Sequence, residues 1–306
     1  MRYSQRVDVL QEHLTRARAS GGVFARSVAR PPWGLWLPGT IQLAVHAVVR
    51  GHAWVWLDDP RAACKLHPGD VALVRGGLDH HVAHSPTAVC LTGDDFRAQH
   101  SGDEHAGDPE ATVFLCGAYR FAGDVGSQLV EALPPVLHLP HADDDPLHDA
   151  IGLLSRELAT PAPGQQTVLD RLLDIILVHA LRASFHQSPH APRWYQASTD
   201  PRLDPALRAI HTNAAYPWTV PEFAALSGLS RAAFARAFRQ ALGQAPMQYL
   251  TEWRMTLARD YLRSGELSLA HIASRTGYTS PYAFAAAFRR HHGQPPGRWR
   301  QDHDDP

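Results

Sequence analysis

Two segments of the chain carry residues that could meet a nucleic acid. SRAAFARAFRQ holds Arg231, Arg236 and Arg239, and SPYAFAAAFRR holds Ser280, Tyr282, Arg289 and Arg290. In each, phenylalanines stand four residues apart (Phe234 and Phe238, Phe284 and Phe288). On a helix that spacing turns the phenylalanines to one face and leaves the other residues outward. The outward set of the first segment is Arg231, Ala232, Ala235, Arg236 and Arg239. An arginine fork matches O6 and N7 of guanine, whereas an alanine offers only a methyl, for instance to thymine. Arg236 is therefore the candidate for base readout, with Arg231 and Arg239 on phosphates. The charge balance separates this reading from a merely solvated face. Residues 206–300 hold twelve arginines against four acids, a net +8 in a chain whose total is −1, so the remainder carries −9. A basic end joined to an acidic one is the pattern of a nucleic-acid-binding module.

A second group of reactive residues lies in the first half: His46, His80, His81, His84 and Cys116, with Trp54 and Trp56. His46, His80 and His84 could converge on a metal if facing strands brought them together, and a cysteine could add a soft ligand. No Glu stands beside His46 in LPGTIQLAVHAVVRG, so the usual three or four ligands are incomplete and no cofactor is expected. Cys116 has two readings, a small apolar side chain or an oxidant-sensing thiol. Alternation puts Trp54 and Trp56 on one face of a strand, where they would wall a small organic ligand or simply fill a core.

The elements that must position these groups are legible in outline. Within residues 1–22 an amphipathic helix places Val7, Leu10 and Leu14 on one face. Residues 35–140 show short apolar or alternating runs (IQLAVHAVV, AWVWL, DVALV, TVFLCGAY) between Pro, Gly and Asp clusters, which predicts a β-sandwich or barrel. Residues 94–110 read as a polar loop. Leu147, Ile151, Leu154 and Leu158, then Leu169, Leu172, Leu173, Ile176, Leu177 and Leu181, form two helical stripes separated by PAPG: an αα-hairpin that packs on the β-domain, pairs two protomers, or both. Residues 187–205 carry four prolines and no period, and read as a linker.

The C-terminal region repeats. Val220 matches Leu269, Phe223 Ile272, Ala224 Ala273 and Gly228 Gly277 at an offset of 49; Phe234 matches Phe284, Phe238 Phe288, Gly243 Gly293 and Pro246 Pro296 at 50. Each copy reads as helix, glycine turn, helix, the form of a helix-turn-helix motif, at about 221–242 and 269–292. The helix between them, with Tyr249, Leu250, Trp253, Leu257 and Tyr261 at helical spacing, can hold two reading helices apart; successive major grooves lie about 34 Å apart.

These residues resemble the DNA-binding domain of the AraC/XylS family of bacterial transcription regulators. The resemblance covers residues 202–300 and rests on the tandem motifs, Trp253 to Leu262, Ile272 to Tyr278 and the closing Ala287 to Arg300. It implies base reading by the first recognition helix. The second departs from the family, with Ala285 and Ala286 on its outer face, so Ser280, Tyr282, Arg289 and Arg290 are expected to grip backbone. Residues 33–140 resemble the cupin-type sensor domain of some AraC-like regulators, through WGLWLPG, HAVVRGHAWVWL, LHPGDVALVRGGLDHHV and CGAYRF. Of the metal set usual in cupin enzymes, only the histidine after the P-G-D turn, His80, stands where the pattern asks.

The expected architecture is multidomain α+β. It comprises a cupin-like β-barrel or jelly-roll sensor (1–140), a dimerising helical hairpin (141–186), a linker (187–201) and an all-α domain of two tandem helix-turn-helix motifs (202–300). The expected function is sequence-specific regulation of transcription initiation in response to a small-molecule, metal or redox signal. Candidate sensor residues are His46, Trp54, Trp56, His80, His81 and Cys116. Double-stranded DNA, a second protomer and a small effector are the expected partners, and RNA polymerase is implied by the resemblance. The alternative, a cupin metalloenzyme with a helical appendage, leaves the basic repeat unexplained. Three cysteines without a C-x-x-C, no signal-peptide core and no apolar run near ~20 residues point to the cytoplasm.

Overall fold

In the computed structural model, residues 8–17, 20–100, 108–121, 123–142, 145–188 and 191–303 are described. The strands are β1 (Ser20–Ala29), β2 (Gly34–Leu37), β3 (Leu43–Arg50), β4 (Ala53–Trp56), β5 (Cys64–Leu66), β6 (Val71–Arg75), β7 (His80–Ala83), β8 (Thr112–Arg120) and β9 (Val136–Leu139). The helices are α1 (Val9–Ala17), α2 (Gly93–Gln99), α3 (Gly123–Glu131), α4 (Pro146–Ala159), α5 (Gln165–Gln187), α6 (Arg193–Ser198), α7 (Asp204–Thr212), α8 (Val220–Leu226), α9 (Arg231–Leu242), α10 (Pro246–Arg263), α11 (Leu269–Arg275), α12 (Pro281–His292) and α13 (Pro296–Gln301). They sort into two units, one of Ala19–Phe121 with Leu129–His190, the other of Met1–Arg18, Ala122–Gln128 and Ala191–Pro306.

The first unit is a pair of antiparallel sheets, ordered β1-β8-β3-β6-β9 and β2-β7-β4-β5. Strand alternation sends Ala44, Val48, Ala72, Val74 and Phe114 of one sheet against Leu35, Val55, Leu66 and Val82 of the other, a closed apolar core between layers. Trp33 completes it, stacked on Phe114 at 4.6 Å. The hairpin forms as its stripes predict: Leu147, Ile151 and Leu154 of α4 and Leu169, Leu172, Leu173, Ile176, Leu177 and Leu181 of α5 are buried. Tyr119 in β8 ties to it, its hydroxyl donating to the Leu173 carbonyl at 2.9 Å.

The second unit contains both motifs. Thr219 and Glu222 form a reciprocal capping box at α8, and Ser230, Ser268 and Ser280 cap α9, α11 and α12. Phe223, Phe234 and Phe238 fill one core; Ile272, Phe284 and Phe288 fill another. Helix α10 enters both, giving Leu250, Trp253 and Leu257 to the first and Met255, Ala258 and Leu262 to the second. Its 18 residues span about 27 Å.

Three expectations are corrected. Part of the 94–110 loop is helix α2: Thr92 caps it, and Phe96 is buried edge-on to Trp33 and Phe114. Residues 101–107 lie outside the described residues. The linker region contains α6, because Trp194 stacks on His13 at 3.9 Å and Ala197 is buried in the core of the second unit. In α1 the buried face is Val9, Leu10, His13 and Ala17 rather than one including Leu14; Val7 lies outside the described residues.

Gly228 and Gly277, the two motif turns, both have positive φ, +63° and +78°. Their surroundings differ. A Cβ at Gly228 would meet nothing within 4 Å, whereas one at Gly277 would come within 2.7 Å of the Ala215 carbonyl and the Arg254 guanidinium. In urea denaturation Gly228→Ala should cost about 1 kcal/mol of left-handed strain, and Gly277→Ala at least about twice that. Equal losses would contradict the close packing at the second turn.

Candidate nucleic-acid interface and the cluster inside the β unit

The outer face of α9 is formed as its spacing predicts. Arg231, Ala232, Arg236 and Arg239 are exposed and Ala235 is half-buried. Ala232, Ala235, Arg236 and Arg239 line one open groove together with Gln240, which the sequence reading passed over. Gln240 lies four residues beyond Arg236, so helical spacing alone could have found it. On α12, Tyr282 is 87% exposed and Arg289 and Arg290 are exposed, while Ala285 is half-buried and Ala286 exposed. Ser280 is half-buried, and its Oγ accepts the Ala283 amide at 3.1 Å as a helix cap.

The twelve arginines are not equivalent. Arg254 donates to the Ala214 and Tyr216 carbonyls at 2.7 and 2.8 Å, and Arg300 to the Leu267 carbonyl at 2.9 Å, so both hold backbone turns. Arg208 pairs with Asp204, and Arg259 and Arg263 pair with Asp124. Among the described residues Arg231, Arg236, Arg239, Arg289 and Arg290 take no acidic partner. Arg275 on α11, which lies over the Tyr261 ring, and Arg298 on α13 also take none, so five of the seven arginines without an acidic or backbone partner fall on the two segments whose helix caps and phenylalanine cores fix their orientation.

Between the sheets of the first unit the candidate sensor residues divide. His46 on β3 faces inward with Ala44 and Val48, and Cys116 is its register partner on β8. His80 on β7 faces inward from the opposite sheet. His46 Nε2 lies 2.9 Å from His80 Nε2, and its Nδ1 lies 3.1 Å from Cys116 Sγ. With all three groups neutral the protons run one way along the chain: either the thiol donates to Nδ1 and His46 Nε2–H to His80 Nε2, or His80 Nε2–H donates to His46 Nε2 and His46 Nδ1–H to the sulfur. Burial keeps all three neutral. It pushes the Cys116 thiol up to about 12, His80 down to about 4, and His46 well below the ordinary histidine value, with His80 adding to the shift at His46.

The remaining sensor candidates point elsewhere. Trp54 and Trp56 lie on the face of β4 opposite the inward Val55; His81 stacks on Trp56 at 5.0 Å, and Lys65 lies over Trp54. Strand alternation separates them from His46 and His80. His84 is engaged with the Trp33 backbone, its Nδ1 lying 3.1 Å from the amide and 2.8 Å from the carbonyl. His46, His80 and His84 thus do not converge. Among the described residues no group of three or more His, Cys, Asp or Glu is placed to hold a metal ion, so these side chains do not fit a cupin metal centre. His46 and Cys116 instead border a cavity of about 180 Å³ with Leu35, Leu37, Ile41 and Phe96 among its walls.

A cupin family profile matches residues 8–186 and a helix-turn-helix profile residues 223–302. A putative AraC-like transcription regulator of Streptomyces lividans is 31% identical over 301 residues, covering 96% of this chain and 98% of that one. The regulator AlkR of Acinetobacter baylyi is 30% identical, covering 88% and 91%. The chain belongs to the AraC family of transcription regulators. A crystal structure of an AraC-type regulator from Chromobacterium violaceum, 29% identical, covers 36% of this chain and 98% of its own, with a TM-score of 0.33.

As an AraC-family member this protein is a DNA-binding regulator and not an enzyme. Among the described residues no helix is long and apolar enough to cross a membrane. The histidines and cysteine that looked like a partial metal site form a neutral hydrogen-bonded chain inside its cupin domain. A thiol held protonated is a poor nucleophile. Burial also raises Cys64 and Cys90, but less far. With iodoacetamide at pH 8, peptide mass spectrometry should find Cys116 alkylated at least about tenfold more slowly than Cys64 or Cys90. Labelling of Cys116 first would contradict the packing around it.

Proposed function

We propose that this AraC-family regulator works as a cytoplasmic homodimer whose cupin domain binds a small effector and thereby changes how its DNA-binding unit engages DNA. The observation that carries the reading is the coexistence of a partly open cavity in the cupin domain and an arginine face without acidic partners. The cavity is mostly apolar, with His46 and Cys116 as neutral groups and Arg97, paired with Asp94, among its lining residues. That lining suits a small, largely apolar molecule better than a metal ion. It also disfavours a redox signal taken up by Cys116.

In this reading Arg236 forks onto a guanine, Gln240 and Ala235 lie beside it, and Arg231 and Arg239 hold phosphates. On the second motif Tyr282, Arg289 and Arg290 grip backbone, and Ser280 serves by capping α12. The pairing surface is the outer face of the hairpin, where Leu153, Val168 and Ile175 are exposed at 49%, 43% and 44%. Val168 and Ile175 lie seven residues apart and so share one face of α5, and exposed apolar side chains there favour burial against a second copy. Contact with RNA polymerase follows the family's mode of action.

The test begins with duplexes enriched from random DNA by the wild-type protein. Arg236→Ala should lose preference at one base position, by about 1–3 kcal/mol. Arg290→Ala should weaken enriched and scrambled duplexes alike and reduce the salt slope by about one. Equal losses on both duplexes for Arg236→Ala would overturn the readout assignment. Ile175→Glu, which places a charge in the proposed pairing face, should shift sedimentation from dimer to monomer with the circular dichroism unchanged. A dimer that survives both this change and Leu153→Glu would place the interface elsewhere.

A further inference from the structure

Helix α3 lies between β8 and β9 in the sequence, yet its opening residues pack with the helical unit. Val125 is fully buried there, in the cluster that holds Val9, Leu207, Leu250, Trp253 and Leu257. The start of α3 is held by α10. The Asp124 amide donates to Asp260 Oδ1 at 2.8 Å, so an acid of α10 closes one open amide of the helix end. The Asp124 carboxylate in turn pairs with Arg259 and, at 2.8 Å, with Arg263. Gly123 has φ +71°, and a Cβ there would run into the Asp260 carboxylate, so the close approach requires glycine.

This is more than an exposed ion pair. The side chains of Asp124, Asp260 and Arg259 are 17%, 19% and 28% exposed, and such shielded charges are screened less than surface ones. Arg263 also lies over Trp299, 5.5 Å from the ring centre, and Trp299 belongs to the core of the second motif with Phe284 and Phe288. The grip therefore falls on the end of α10 that carries the second motif, and it draws two arginines into pairs with an acid from outside the repeat.

We propose that the Arg259–Arg263 end of α10 is a docking surface for a helix start headed by an acid, occupied by residues 123–128 of the same chain, and that this docking restrains DNA binding. The proposal rests on the reading of the helical unit as the DNA-binding unit. Docking lowers the positive charge the unit offers to phosphate and fixes the end of α10, so the form competent for DNA is only a fraction of the population. Asp124 follows the last residue of β8, Arg120, by four positions, and Cys116 on β8 borders the cavity. An effector that shifts β8 would pull on the docked segment directly through the chain.

The experiment uses the full-length protein and the duplexes it enriches from random DNA. Asp124→Ala, and the isosteric Asp124→Asn as a guard against misfolding, should speed amide hydrogen exchange at residues 124–128 at least about tenfold by local opening. Both should bind the enriched duplex at least about threefold tighter at fixed salt, as release of a restrained fraction requires. Faster exchange with unchanged or weaker DNA binding would overturn the proposal and leave the contact a purely structural one. Unchanged exchange would overturn it as well. A wild-type protein that enriches no duplex would instead sink the DNA-binding reading, and this proposal with it.

Discussion

One helix belongs to two cores. Leu250, Trp253 and Leu257 of α10 are sealed among the aromatic side chains of the first motif, and Met255, Ala258 and Leu262 among those of the second. Tightly packed interiors do not deform continuously. Because both cores grip the same rod, the separation and rotation of α9 and α12 are fixed by packing rather than by a tether. Every statement about which arginine can reach which groove depends on that constraint. It also makes α10 the point at which the DNA-binding unit can be acted upon: anything that holds or releases this helix is felt by both motifs.

The interior of the cupin domain follows a different logic. Two histidines and a cysteine would ordinarily suggest metal or redox chemistry. Here desolvation outweighs any tendency to ionise, and both ring nitrogens of His46 are paired, one with Cys116 and one with His80, in a chain of hydrogen bonds. Buried polar groups paired in this way specify a geometry without carrying charge. The cavity beside them is therefore walled mainly by apolar side chains, and this restricts the chemistry of what could enter.

Much of the site was legible in the sequence because helical and strand periods place residues on faces without reference to anything distant. The Phe234–Phe238 and Phe284–Phe288 spacings oriented both recognition helices, and the position-locked repeat gave the two motifs and their turns. Strand alternation likewise implied that Trp54 and Trp56 share a face. Which face was inside could not be read from it, and the structure turns that pair away from His46 and His80. Helix α2 was hidden because its single buried anchor, Phe96, is surrounded by charged residues, so its stability comes from Trp33 and Phe114 across the chain. Helix α6 was hidden by flanking prolines, its anchor Trp194 finding its partner in His13 far upstream.

From the sequence by itself came the class of molecule: two near-copies of a helix-turn-helix, a segregated positive charge and a β-rich domain, since local periodicity and charge are properties of the chain order. Tertiary structure alone decided which arginines are available and which are tied to backbone or to Asp124, whether three histidines meet, and where the start of α3 packs. Those outcomes rest on distances between residues up to 139 positions apart in the chain. Short-range patterns carry no information about such pairs, because loop closure and side-chain packing, and not neighbouring residues, determine which of them form.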